Sequence, residues 1–167
     1  EIWRPQIAPN GQMVYFSQYK AGKWTLVRVS IDGGEAQEVE RAAADLWAIS
    51  PDGKSLAYSF FDEKVGRWQT AVRPVEGNEP ASSFDVAPLD VLLWTPDGKG
   101  LIYKEATGPN PKTILWRQPL TGGKPQPFVA GSSETTYWAD WSPDGEKLAL
   151  IRGKELMNIV LLKRLGS

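Results

Sequence analysis

The chain contains no cysteine and no histidine. Without cysteine there is no disulfide framework, no thiol nucleophile and no zinc–thiolate site. Without histidine there is no imidazole base, no Ser-His-Asp triad and no HExxH metal helix. An excess of charge is missing too. The 19 Lys and Arg against 20 Asp and Glu leave a net charge of −1, whereas a nucleic-acid surface needs clustered positive charge. Long apolar runs are also lacking. Stretches such as Ile159-Val160-Leu161-Leu162 are strand-sized, far below the roughly 18 residues of a membrane span, so direct membrane insertion is not expected. Glu1-Ile2-Trp3-Arg4 carries no signal-peptide pattern. These absences remove most hydrolytic machinery and predict a non-enzymatic chain without cofactor or metal.

What is present is turn-rich and aromatic. The 167 residues suit one domain, 1–167, and 41% hydrophobic content is enough for a core. Sixteen Gly, 13 Pro and eight Trp point to an all-β interaction protein. Four segments repeat: Ala8-Pro9-Asn10-Gly11, Ser50-Pro51-Asp52-Gly53, Thr95-Pro96-Asp97-Gly98 and Ser142-Pro143-Asp144-Gly145, with prolines 42, 45 and 47 residues apart. In each, proline presets φ at the second turn position, Asp or Asn tolerates the third, and glycine suits the fourth.

A short apolar run follows each turn: Val14-Tyr15-Phe16, Leu56-Ala57-Tyr58, Leu101-Ile102-Tyr103 and Leu148-Ala149-Leu150. Three adjacent apolar residues do not alternate, so both faces of that strand should be buried, as in a sheet held between two others. A strand before each turn often carries tryptophan: Trp3, Trp47, Trp94, Trp138 and Trp141. A second turn recurs at Asp32-Gly33-Gly34, Glu76-Gly77-Asn78 and Thr121-Gly122-Gly123, where glycine supplies positive φ. It lies between a strand (Leu26–Val29, Thr70–Arg73, Ile114–Arg117) and a weaker one (near Gln37–Val39, Ser83–Val86, Pro127–Val129). Each unit thus holds four strands, the signature of a β-propeller blade. The predicted blades span 1–41, 42–87, 88–133 and 134–167. Ala42-Ala43-Ala44 would also suit a short helix over Val39–Leu46, but a connection between blades is the reading adopted.

The (S/T)PDG turn followed by a short apolar strand resembles the TolB-like propeller repeats, relatives of the WD-repeat class, over nearly the whole chain. The Gly-His and Trp-Asp signatures of the WD class itself are absent. Ala8 and Asn10 depart from the pattern in the first unit. The resemblance implies a bacterial protein, periplasmic or otherwise extracytoplasmic. It implies three settings: partner-binding envelope proteins, sensor halves of membrane kinases and winged-helix regulators, or the lid propeller of a prolyl-oligopeptidase-like serine peptidase. The α/β-hydrolase domain of that last family, with its GxSxG serine, does not occur in this sequence. The expected function is a non-catalytic protein- or ligand-binding module, the sensing or scaffold part of a larger protein; the peptidase lid is the alternative.

Ring closure carries a further expectation. Turn proline to hairpin glycine is 24, 26 and 26 residues in the first three units, and the same step in the fourth reaches the last residues, Gly166-Ser167. The fourth blade is therefore expected to lack its outer strand, giving a partial propeller or half of an assembled ring. A second copy pairing head to tail would make eight blades.

Within this frame the chemical candidates are few. Asp52, Asp97 and Asp144 fall on different blades and are read as turn-capping rather than metal-binding. Asp62-Glu63 beside Lys64 reads as a solvated loop tip. Ser132-Ser133 and Thr135-Thr136 have no base partner. Trp24, Trp68, Trp94, Trp116 and Trp141 are expected as wedges between blades. Trp3, Trp47 and Trp138, with Arg4, Asp45, Asp90, Tyr137 and Asp140, share one part of the repeat near the axis and form the candidate binding surface. The loops Phe61–Arg67 and Glu105–Lys112 are the most irregular and are further candidates.

Overall fold

The computed structural model describes residues 1–40, 46–77, 82–85, 89–105, 113–132 and 134–154. Every regular element among them is a strand. The first blade runs β1 (Ile2–Ile7), β2 (Met13–Lys20), β3 (Lys23–Ser30) and β4 (Gln37–Glu40); the second β5 (Trp47–Ile49), β6 (Ser55–Asp62), β7 (Arg67–Pro74) and β8 (Ser82–Phe84). The third runs β9 (Leu89–Trp94), β10 (Gly100–Glu105), β11 (Thr113–Pro119) and β12 (Gln126–Ser132), and the fourth contributes β13 (Thr135–Trp141) and β14 (Leu148–Gly153). Within each sheet the strands follow chain order and pair antiparallel. The third strand of the fourth blade and the Ile159-Val160-Leu161-Leu162 run lie outside the described residues. So do Asp45, residues 41–45 of the Val39–Leu46 span weighed as a helix, whose Val39 and Glu40 are in β4, and most of the Glu105–Lys112 loop.

The turns explain the repeat. In each (S/T)PDG segment the glycine N–H donates to the carbonyl three residues back, Ala8, Ser50, Thr95 or Ser142, at 2.8 Å. Gly11, Gly53, Gly98 and Gly145 all sit at φ between +67° and +73°, a region open to glycine at little cost. In the second and third turns the hydroxyl of Ser50 or Thr95 donates to the following aspartate carboxylate, at 2.6 and 2.5 Å. That hydroxyl oxygen also accepts the N–H of Ser55 or Gly100. Ser142 and Asp144 repeat the arrangement. Ala8 has no hydroxyl to do so; Asn10 Oδ1 accepts the Gln12 N–H at 3.0 Å, and its amide donates to Gln12 Oε1 at 3.4 Å.

Blades pack through a period-two alternation. On one face of the second blade Trp47, Ile49, Leu56 and Tyr58 meet Tyr15 and Leu26 of the first. On the other, Ala48 and Ala57 meet Leu92, Trp94, Leu101 and Tyr103 of the third. The apolar triplets are accordingly buried on both faces in the middle blades: Leu56, Ala57, Leu101, Ile102 and Tyr103 are at most 2% exposed. In the first and fourth blades the triplets are only partly buried, because each has one described neighbour. Arg28 pairs with Glu76, and Arg73 with Glu40 at 3.0 Å, clamping the first junction. Trp94 and Trp141 are wedges between blades. Trp24 and Trp68 instead pack on Tyr19 and Phe61 at the hairpin tips of their own blades, with ring centroids 5.1 and 5.8 Å apart.

Candidate functional site

The first strands of the four blades, β1, β5, β9 and β13, converge and leave a cavity of about 190 Å³ between them. Its walls follow the repeat. The residues three positions before each turn proline (Gln6, Ala48, Leu93, Asp140) all line it, as do those four positions before (Pro5, Trp47, Leu92, Ala139). Five positions before, Arg4 and Trp138 complete the wall. Neighbouring residues of one strand both reach the cavity, as expected where the free inner edge of a strand, and not one of its faces, borders a space.

Arg4 and Trp138 occupy the same phase of the first and fourth repeats and meet across this space. The guanidinium carbon lies 4.9 Å from the centroid of the indole ring, within cation–π range. Arg4 has φ +54°, in the left-handed region that a residue with a Cβ seldom occupies. It sits where the β1–β2 register shifts between Trp3 and Gln6, a bulge that re-aims its side chain.

Of the residues singled out in the sequence, the structure brings Arg4, Trp47, Trp138 and Asp140 together around the cavity. Trp47 is at the same time a core residue, 3% exposed, with its indole N–H donating to Ser17 Oγ at 2.7 Å. Trp3 and Tyr137 are exposed, at 57% and 44%, and do not line the cavity. Asp90 is engaged elsewhere: it accepts from Lys104 Nζ at 2.6 Å, and the same ammonium donates to the main-chain oxygen of Thr136 in the next blade at 3.2 Å. Asp52, Asp97 and Asp144 lie in the turns, where hydroxyl and backbone donors hold each carboxylate below its ordinary range. Among the described residues no group of three or more acidic side chains could hold a metal.

Gln6, Leu92, Leu93 and Lys104 were not anticipated. The first three follow from counting back three or four residues from each turn proline. Lys104 has no such signal, since its burial depends on a cross-strand carboxylate and on a carbonyl of another blade.

Two larger cavities, of about 390 and 530 Å³, lie between blade pairs among the turn residues. Turn prolines otherwise press on the next turn: a Cβ on Gly145 would come within 2.7 Å of Pro96, and one on Gly53 within 3.8 Å of Pro9.

No protein-family model matches the chain. An uncharacterized protein of Agrobacterium fabrum is 22% identical, over 59% of this chain and 38% of its own length. TolB from Acinetobacter baumannii superposes with a TM-score of 0.75 at 18% identity, covering 90% of this chain and 37% of that one. A putative TolB from Agrobacterium tumefaciens gives 0.71 at 22% identity, over 88% and 52%. A prolyl endopeptidase gives 0.62 at 20% identity, over 90% and 26%. The chain therefore has the fold of the TolB-like β-propellers. It spans between about a third and a half of the length of these TolB-type structures and the curated relative.

Proposed function

We propose that this chain is a non-catalytic binding module, the sensing or scaffold part of a larger bacterial protein, and that it engages a protein or ligand at the axial cavity. The observation that carries this is the construction of the cavity. A repeated frame places non-repeated side chains around one opening: the position three before the turn proline is Gln6, Ala48, Leu93 and Asp140 in the successive blades, and all four line the cavity. Rigid repeats presenting variable residues around one opening are the usual design of a recognition surface. An extracytoplasmic location accords with the likeness to TolB.

A photo-crosslinking amino acid at position 137, beside the opening, tests the reading in the host cell. Discrete adducts are expected, and Trp138→Ala should abolish them. The same crosslinker at the exposed Ile31, 49% accessible at the turn end of the first blade, should give none. Equal labelling from both positions would remove the proposal.

The same module is proposed to pair with a second propeller half. Ile2 and Ile7 on the first blade and Ile151 on the fourth are 58–63% exposed, which suits a head-to-tail contact between copies. Light scattering giving a monomer at all concentrations would exclude it.

A second reading, the lid propeller of a prolyl-oligopeptidase-like enzyme, draws on the superposition with the prolyl endopeptidase. Labelling of the host protein by a serine-directed fluorophosphonate would favour it over the binding module.

A further inference from the structure

We infer that Arg4 is an internal stand-in for the ligand, and that the axial cavity takes the guanidinium group of an arginine side chain from a partner. The inference rests on the axial cavity being the binding site.

Three observations converge. The face of Trp138 is already occupied by a guanidinium, that of Arg4, 4.9 Å from the ring centroid. Asp140 and Gln6, both with acceptor oxygens, line the cavity together with Trp47 and Leu92, and one oxygen of the Asp140 carboxylate, Oδ1, accepts the Trp141 N–H at 2.8 Å. An aromatic face backed by a carboxylate and an amide is the environment a guanidinium selects, since its plane stacks while its N–H groups donate at the edge. The volume of about 190 Å³ is well below the roughly 300 to 1,000 Å³ of sites for whole small molecules, and on the scale of one inserted side chain.

The backbone at Arg4 is unusual for a residue with a side chain. Among the described residues only Arg4 and Ala21 combine a side chain with positive φ. Ala21 is explained by its two-residue hairpin, closed by the Lys20–Lys23 pair, where left-handed residues are required. Arg4 lies at the irregularity of β1, where the register with β2 shifts between Trp3 and Gln6, and a bulge of this kind can hold a left-handed residue. Trp138 is 45% exposed, so the approach is open. Until a ligand arrives, the occupied face is kept from weaker, non-specific partners, and apparent affinity is reduced by the fraction of time Arg4 is bound.

The probe is N-acetylarginine amide, titrated by calorimetry, with the lysine and citrulline counterparts alongside. Arg4→Gly removes the competitor and tolerates the backbone angle. It is expected to bind the arginine probe at least tenfold more tightly than the unsubstituted chain, with citrulline, which is neutral, at least tenfold weaker than arginine. Trp138→Leu should abolish binding in either background. Tighter binding that depends on Trp138 would support the stand-in. Binding that weakens or is unchanged in Arg4→Gly would overturn it, as would equal affinity for citrulline. An Arg4→Gly chain that retains its thermal transition but binds no probe would also overturn it. That last result would leave the binding module standing if crosslinking at position 137 still gives Trp138-dependent adducts, so the two failures are distinguishable.

Discussion

The indole N–H of Trp141 donates to the main-chain carbonyl of Trp94 at 2.9 Å, across the junction of the third and fourth blades. Trp94 in turn donates to the carbonyl of Ala48 in the second blade at 3.0 Å. Both tryptophans stand two residues before a turn proline, so the third and fourth blades are each fastened to the one before, in one direction around the axis. Trp94→Phe would keep most of the packing area and remove the indole donor to the Ala48 carbonyl, which keeps its ladder partner Ala57. It should lower unfolding stability by about 1 kcal/mol, the net worth of one hydrogen bond. Trp141→Phe should cost less, because Trp141 is only half-buried. Urea denaturation midpoints of the two variants would measure this order.

The turn glycines are alike in φ and unlike in their surroundings. A Cβ on Gly11 would meet nothing within 4 Å, whereas one on Gly145 would lie 2.7 Å from the ring of Pro96. Gly11→Ala should therefore lower stability by the left-handed backbone cost alone, roughly 1–2 kcal/mol. Gly145→Ala should lower it further, because Pro96 has a stiff ring that must move with its backbone. Equal thermal shifts in the two variants would show that the turns do not press on one another in solution.

This contrast also marks what a sequence can carry. The repeat period, the two turn types and the apolar triplets were legible because each depends on local rules: proline at a turn, glycine at positive φ, alternation along a strand. The cavity was half legible. Arg4, Trp47, Trp138 and Asp140 were marked by phase, yet nothing local distinguished Asp90, whose carboxylate is turned to Lys104, from Asp140, which lines the cavity. Trp24 and Trp68 were expected between blades because aromatic residues favour burial. Their actual partners, Tyr19 and Phe61, are cross-strand neighbours fixed by hairpin register, which composition does not reveal.

Lys104 is 4% exposed and holds Asp90 and the Thr136 carbonyl together. Asp90→Ala would leave a buried ammonium with only a carbonyl, and is expected to cost roughly 3 kcal/mol, near the lower end for breaking a buried pair. Lys104→Met, which keeps the length and removes the charge, should cost distinctly less, since it leaves Asp90 half-exposed to water. A double-mutant cycle read by chemical denaturation would give the coupling, and additivity would mean that the pair contributes nothing across the junction.

Acid should loosen the turns together. Asp52, Asp97 and Asp144 are all held below their ordinary range, first by the hydroxyl of Ser50, Thr95 or Ser142 and then by the backbone N–H two residues on. A carboxylate depressed in the fold stabilises it above its unfolded pKa, and that contribution is lost as pH falls through the lower folded value. Stability should thus be level above the ordinary carboxylate range and decline below about pH 4. Asp97→Asn should flatten part of that decline while lowering stability at neutral pH. An unchanged acid limb in the triple Asn variant would show that other carboxylates control it.

The alkaline side has a different origin. Burial, with the nearby Glu40 carboxylate, pushes the Tyr58 phenol up from its ordinary 10.0 to about 12. The neutral phenol is the form the fold accepts. Because the folded pKa is raised, the stabilisation is complete below about pH 10 and is lost as pH rises towards about 12. Tyr58→Phe would remove the hydroxyl next to Glu40 and Arg73 and so lower stability at neutral pH. Its loss of stability between about pH 9 and about pH 11.5 should be smaller than that of the unsubstituted chain, because the buried phenol and its ionisation are gone. Denaturation curves at those two values decide the matter: parallel declines would place Tyr58 in contact with water and deny it a part in holding the first two blades together.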